Sequence, residues 1–223
     1  MPGEIIRYEV TIDLPQGNMT NLSLVDTLEA GLQFLAPADN NVTVQLNGFD
    51  AGGGTYVAAD LPANVHTSAQ TLDPGQITVN GQIITFDFGQ ITNNETDSGS
   101  AESLTISYNV IVSNDDGTNV FRGNTLTNSA QVQVNGVDSG SPATIDANVV
   151  QPQGSISKSD NGASSADAGD VISYTLTITA DSNINAATAY DLNITDTLPA
   201  ELEIDGGSLT FSGLPGYVVT SSL

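Results

Sequence analysis

The stretch IIRYEVTIDL, residues 5–14, decides the fold class of this chain. Every second position carries an apolar side chain, in the order Tyr8, Val10, Ile12 and Leu14. Period-two alternation sends these side chains to one face of a β-strand and the polar ones to the other face. The stretches SLTISYNVIV (103–112) and VISYTLTIT (171–179) alternate in the same way. We therefore expect antiparallel strands, each with one buried and one wet face.

Short turn signals punctuate the alternating stretches. They are Asn47-Gly48, Asn80-Gly81, Asp116-Gly117 and Asn135-Gly136. Asn-Gly and Asp-Gly pairs favour the tight turns that join adjacent antiparallel strands. Helical periodicity is almost absent, so the sequence predicts an all-β sandwich.

The chain repeats itself. GEIIRYEVTI (3–12) aligns with GDVISYTLTI (169–178), and LSLVDTLEAGLQF (22–34) aligns with LNITDTLPAELEI (192–204). A tandem repeat indicates an array of similar units. We expect residues 1–150 to form one sandwich that lacks its first strand, and residues 151–223 to form the N-terminal part of a second sandwich. The segment VVQPQG (149–154) would link them.

Composition excludes several classes of function. The chain has 26 acidic residues, three basic residues and a formal charge of −23, so a nucleic-acid partner is not expected. It has no cysteine and one histidine, which argues against a disulfide framework and a zinc site. No apolar run is long enough for membrane insertion in this segment. No catalytic motif stands out, and we expect the chain not to be an enzyme.

The motifs SISKSD (155–160), GDVISYTLTIT (169–179) and NITDTLP (193–199), in this order, resemble a repeat family of large prokaryotic surface proteins. That family is related to isopeptide-forming adhesin and pilin domains. The resemblance implies tandem immunoglobulin-like β-sandwiches with antiparallel Greek-key topology. It also implies an extracellular or cell-surface location, with neighbouring repeats of the same protein as partners.

Four polar residues share strand parity with apolar neighbours and are therefore expected to point inwards: Asp26, Asn128, Lys158 and Asp196. In the related isopeptide domains, a lysine attacks an asparagine amide beside an acid that shuttles protons. Each copy here is incomplete, because the first has Asp26 and Asn128 without a lysine strand and the second has Lys158 and Asp196 without an asparagine strand. The other reading is structural, with the aspartate and asparagine bonding to backbone groups at strand ends.

Acidic loops flank the segment that links the two copies. Asp and Asn side chains in such loops supply oxygen ligands for Ca²⁺, which could stiffen a junction between repeats. The candidate ligands are Asp138, Asp146, Asp160, Asn161, Asp167 and Asp170. The other reading is that these loops are solvated turns.

Two functions stay open from the sequence. The first is a non-enzymatic structural or adhesive repeat, serving as a stalk or fibre spacer in a large surface protein. The second is a module that binds a cell-surface or matrix glycan or protein through an insertion at residues 36–76, with Phe49 and Tyr56 exposed on it.

Overall fold

A computed structural model describes most of the chain. The described residues are 3–35, 41–49, 56–96, 101–113, 120–163, 165–189, 192–205, 210 and 212. The predicted turn at Asp116-Gly117 lies outside them. Within these residues no helix is long and apolar enough to cross a membrane.

Strands make up nearly all the regular structure of the described residues, and one 3-10 turn at Pro74–Gln76 interrupts them. The strands are β1 (Ile5–Asp13), β2 (Gly17–Leu28), β3 (Leu32–Phe34), β4 (Thr43–Asn47), β5 (Tyr56–Val57), β6 (Gln70–Thr71), β7 (Ile77–Asn80), β8 (Ile83–Asn93), β9 (Ser103–Val112), β10 (Thr125–Val134), β11 (Val137–Asp138), β12 (Ala143–Asn148), β13 (Gly154–Ser159) and β14 (Thr175–Ala180).

Two antiparallel sheets form an immunoglobulin-like sandwich. One sheet has the order β1-β9-β4-β6, with β3 also paired to β9. The other has the order β11-β10-β2-β8-β5, with β12 on β10 and β7 on β8. Among the described strands, the chain changes between these two sheets seven times, at β1–β2, β2–β3, β4–β5, β5–β6, β6–β7, β8–β9 and β9–β10. The all-β prediction is confirmed.

The alternation seen in the sequence fills the space between the sheets. In β2, the side chains of Leu22, Leu24, Asp26 and Leu28 are all buried, and the residues between them face outwards or are half-buried. Phe34, Phe86 and Tyr108 form the aromatic centre of the core, with ring centroids 5.0–6.2 Å apart. Each fully buried apolar side chain of this size contributes about 1.5–3 kcal/mol.

The described part of the 36–76 stretch belongs to the sandwich. In its described part, β4 lies between β9 and β6 inside the first sheet, and Val44 and Leu46 are fully buried. Phe49 was expected on the surface, but only 8% of it is exposed, and its ring packs 5.0 Å from that of Tyr56. The expectation failed because β4 extends the first sheet and carries the next aromatic residue into the core.

β13 and β14 form a separate two-stranded sheet with antiparallel register. The chain divides into two compact units, residues 1–188 and 189–223, and this hairpin belongs to the first. The predicted boundary between repeat copies near residue 150 stays a prediction.

The second unit differs from its sequence pattern. Residues 192–199 were expected to form a strand equivalent to part of β2, but they lie outside any strand and Asp196 is exposed. The physical reason is pairing: β2 is held between β8 and β10, and the described residues of 189–223 contain no strand that could play either part. Asp196 therefore does not face a core as predicted.

Candidate functional site

The inward polar residues of the first copy meet at the centre of the sandwich. Asp26 on β2 pairs with Ala130 on β10, and Asn128 lies two residues away on the same face of β10. Their exposed fractions are 0% and 3%. The structure thus brings these two predicted residues together in the core.

Two tyrosines face this pair from the opposite sheet. Tyr8 on β1 and Tyr108 on β9 are direct cross-strand partners with ring centroids 5.9 Å apart. Asn128 donates a hydrogen bond from Nδ2 to the Tyr108 hydroxyl at 3.2 Å. We call Asp26, Asn128, Tyr8 and Tyr108 the buried polar cluster. The sequence reasoning missed both tyrosines, although their place in the alternation of β1 and β9 was visible.

Several polar atoms of the buried polar cluster lack a hydrogen-bond partner. Both carboxylate oxygens of Asp26, Oδ1 of Asn128 and the hydroxyl of Tyr8 are buried without a hydrogen-bond partner of acceptable geometry. Native cores normally satisfy such groups, so several unpaired atoms in one cluster call for an explanation.

Burial controls the ionisation of the cluster. It raises the pKa of Asp26 to about 6, while the nearby Tyr108 hydroxyl and Asn128 amide act in the opposite direction. The pKa values of Tyr8 and Tyr108 are raised as well, first by burial and then by the charge of Asp26. A carboxyl with a pKa near 6 can carry or release a proton close to neutral pH.

The predicted lysine lies elsewhere. Lys158 is on β13, where every residue is exposed, and its ammonium lies 4.5 Å from the ring centroid of Tyr174. In the sequence repeat, Tyr174 occupies the position of Tyr8. The structure therefore does not place Lys158 in the buried polar cluster, but it does place it over the equivalent of a cluster residue.

The candidate calcium ligands do not converge. Asp138 accepts from Gln133 Nε2 at 2.9 Å and Asp146 accepts from Thr127 Oγ1 at 2.7 Å, and each carboxylate is thus bonded to its own residue of β10. Across the described ranges, no group of three or more acidic or histidine side chains is arranged to hold a metal ion.

The remaining four candidates lie in the connection between β13 and β14. Asp160 accepts from the backbone of Gly162 at 3.0 Å, and Asn161 donates to the backbone oxygen of Ser173 at 3.0 Å. Asp167 and Asp170 belong to a single turn, in which the Asp167 amide donates to Asp170 Oδ2 at 2.8 Å. As arranged, these residues stabilise turns and do not form a ready calcium cage.

Arg122 joins the sandwich to the segment that follows β14. Arg122 forms an ion pair with Asp181 at 2.7 Å and donates from Nε to the backbone oxygen of Asn185 at 3.1 Å. It also donates to Gln153 Oε1. The hydrogen bond from Arg122 holds the pKa of Asp181 below its ordinary value. Arg122 was overlooked, although it is one of only three basic residues in the chain.

Comparisons with known proteins give solved structures only. No protein-family model and no curated protein matches the chain. The N-terminal domain of the Streptococcus gordonii adhesin Sgo0707 matches at 13% identity with a TM-score of 0.39, over 67% of this chain and 29% of that one. The pilus backbone protein RrgB of Streptococcus pneumoniae matches at 13% identity with a TM-score of 0.36, over 61% of this chain and 43% of that one.

ACE19, the collagen-binding subdomain of the Enterococcus faecalis surface protein ACE, matches at 13% identity with a TM-score of 0.35, over 65% of this chain and 87% of that one. The matches also include an enzyme, AvmM, with a TM-score of 0.29. This chain spans less than half the length of the first two structures. Adhesin and pilin domains are thus among its structural neighbours, and no residue role is carried over from them.

Proposed function

We propose that the chain is a non-enzymatic structural and adhesive repeat of a large extracellular surface protein, where it acts as a stalk or fibre spacer. The observation that carries the proposal is the junction after the sandwich. Gln151 donates to the backbone oxygen of Val120 at 2.9 Å, and Arg122 reaches from the sandwich to Asp181 beyond β14. The segment after residue 150 is therefore bonded directly to the sandwich.

The high negative charge supports the same role. A charge of −23 keeps long arrays of such units soluble and mutually repelling, with weaker repulsion in saline surroundings. Neighbouring repeats are then joined by specific contacts such as those of Arg122 and not by general attraction.

Single-molecule pulling between the chain ends tests the spacer role. The sandwich should unfold in one cooperative event, with a length increase of about 45 nm for residues 3–148. Gradual extension at low force, with no discrete step, would contradict the spacer function.

For the buried polar cluster we propose a crosslinking centre that accepts a lysine. The neutral lysine amine would attack Cγ of Asn128 and form a new amide bond, while the bond from Cγ to Nδ2 breaks and ammonia leaves. Protonated Asp26 would give its proton to the leaving nitrogen and take one from the attacking amine. The raised pKa of Asp26 and the unpaired acceptors support this proposal.

Intact mass tests the crosslink. Neither copy supplies lysine, acid and asparagine together, so the monomeric chain should retain its full mass. A loss of about 17 Da in the monomer would show an amide formed within one chain and would overturn that expectation.

Calcium remains a proposal for the connection between β13 and β14, which holds four of the six candidate ligands. Binding there would require the turns around Asp160 and Asp170 to rearrange, because their carboxylates already accept backbone hydrogen bonds. Calorimetric titration with calcium should give heat, and calcium should raise the melting temperature. If both signals are absent, the proposal is wrong.

The second candidate function is binding of a surface glycan or protein. Tyr56 and His66 favour it, because both are half-buried aromatic groups, joined by a hydrogen bond of 2.5 Å and reachable from solvent. A glycan array probed with the wild type and Tyr56→Ala tests this function. Wild-type binding that is lost in the variant supports this function. An array with no bound glycan contradicts glycan binding.

A further inference from the structure

β1 has an unused edge. It pairs with β9 along its whole length, and in the part of the chain that the structure describes no strand pairs with its other edge. Its inward residues near that edge are incompletely covered, since Val10 and Ile6 are only half-buried while Tyr8 and Ile12 are buried. An open strand edge of this length is a template for another strand.

The second copy shows which strand fits this edge. By the sequence repeat, β14 is the equivalent of β1, with Tyr174, Leu176 and Ile178 at the positions of Tyr8, Val10 and Ile12. β14 carries β13 as its antiparallel partner, with Lys158 opposite Leu176 and Ile156 opposite Ile178. The same register on β1 places Lys158 opposite Val10 and Ile156 opposite Ile12.

Docking in this register would bring the ammonium group of Lys158 close to the buried carboxyl group of Asp26. In the hairpin, the Lys158 ammonium lies over the ring of Tyr174. Over Tyr8 it would lie beside the buried polar cluster, where Asp26 is fully buried with both oxygens unpaired. An ammonium group brings three further donors to these buried oxygens.

β13 is available for exchange. All six of its residues are exposed, Ile156 has 58% of its surface exposed, and its sheet has only two strands. An isolated two-stranded sheet is marginally stable, whereas docking on β1 would add β13 to a sheet with a complete core behind it.

We propose that the free edge of β1 binds β13 of a second copy of this chain and that Lys158 of that copy enters the buried polar cluster. Each chain offers one donor strand and one acceptor edge, so the contact is head-to-tail and builds open chains or rings. The proposal rests on the structural role above and names the partner as a second copy.

Two proline variants test the contact from its two sides. Val112 donates to the oxygen of Glu4 and Leu14 donates to the oxygen of Glu102, so even-numbered amides of β1 point to β9 and odd-numbered ones to the free edge. Thr11→Pro therefore blocks the acceptor edge and leaves the β1–β9 ladder intact. Asp181 donates to the oxygen of Gln153, so by the same parity Ser157→Pro blocks the donor strand.

Light scattering with size-exclusion chromatography gives the readout. The wild type should form concentration-dependent oligomers, each proline variant should be monomeric, and an equimolar mixture should form a heterodimer and nothing larger. A wild type that is monomeric at every concentration, or a Thr11→Pro chain that assembles like the wild type, would overturn the proposal.

Hydrogen exchange gives a readout that needs no acceptor variant. In assembled wild type, the odd-numbered amides Arg7, Glu9 and Thr11 should be protected, and in Ser157→Pro they should exchange fast. Equal exchange rates of these amides in both proteins would show that β1 is not the docking edge.

The position of the lysine has its own test. Lys158→Met should weaken the heterodimer about thirtyfold or more, and the same change should cost much less when Asp26→Asn is already present in the acceptor. Additive losses would show that Lys158 does not meet Asp26. A denaturing gel distinguishes this docking proposal from the proposed covalent crosslink. A heterodimer that forms in solution and dissociates on the gel supports docking and contradicts only the covalent step.

Discussion

At the scale of single residues, Asp26 controls how stability depends on pH. Burial raises its pKa to about 6 from the ordinary 3.8. Because the folded state binds this proton more tightly than the unfolded state, the stabilising contribution is complete below about pH 4 and is lost as the pH rises through 6. The shift corresponds to about 3 kcal/mol at most.

Asp26→Asn should therefore stabilise the protein at neutral pH. The neutral amide avoids the cost of a buried charge, so in the monomer we expect the free energy of unfolding to rise by about 1–3 kcal/mol at pH 7.5 and to change little at pH 4. Urea unfolding at both pH values measures this. Asp13→Asn, on the exposed face of β1, is the control and should show no such gain. A loss of stability at pH 7.5 would mean that the carboxylate is paired.

The two cluster tyrosines should respond in opposite ways to loss of the hydroxyl. Tyr108→Phe leaves the buried Asn128 amide without its acceptor and should cost about 1–2 kcal/mol. Tyr8→Phe removes a buried hydroxyl that has no partner and should be neutral or stabilising by up to about 1 kcal/mol. Thermal unfolding of the pair measures the difference. Equal losses would contradict the hydrogen-bond assignment.

At the scale of elements, the Asn135-Gly136 turn forms where the sequence predicts it, and the turn predicted at Asn80-Gly81 lies one residue later. Asn135 and Gly136 both have positive φ, as a tight two-residue hairpin turn requires. At the β7–β8 hairpin, β7 extends through Asn80, so the turn consists of Gly81 and Gln82 and not of Asn80-Gly81. The strand takes Asn80 because pairing to Ile83 adds one more rung to the ladder.

Gly48 is the turn residue least able to accept a side chain. Its φ is +85°, and a Cβ there would lie 2.7 Å from the backbone oxygen of Ala101. Gly48→Ala should cost about 2 kcal/mol or more, because backbone cannot move aside easily. The control is Gly81→Ala, with φ +60° and open space, which should cost about 1 kcal/mol. Urea unfolding that gives equal losses would show that the steric contact is not decisive.

At the scale of the whole molecule, we expect Arg122 to control how firmly the β13–β14 hairpin is held on the sandwich. Arg122→Met removes its ion pair with Asp181 and its hydrogen bond to Asn185. We expect faster hydrogen exchange and proteolysis over residues 150–188, with a small change in the melting temperature of the sandwich.

The matched control for this variant is Arg7→Met. Arg7 also makes several hydrogen bonds, to Asn109, Thr43 and the backbone of Asn41, but these lie on the first sheet. Its loss should leave exchange over 150–188 unchanged. If both variants affect that region equally, the junction does not depend on Arg122.

The sequence by itself determined the strands and their inward faces. Strict alternation in β1, β2, β9 and β10 predicted which residues are buried, including Asp26 and Asn128, because a strand has only two faces and the apolar residues mark one of them. The same logic failed at 192–199. Alternation records which face a strand would bury, but a strand forms only where a neighbour completes its hydrogen bonds.

Only the tertiary structure decided which residues meet. Tyr8 and Tyr108 are 100 positions apart in the chain and become partners through the β1–β9 register. Arg122 meets Asp181 although the two are far apart in the chain, and the described part of the 36–76 stretch enters the core because β4 pairs with β9. Such contacts depend on sheet order and register, which no local pattern of side chains encodes.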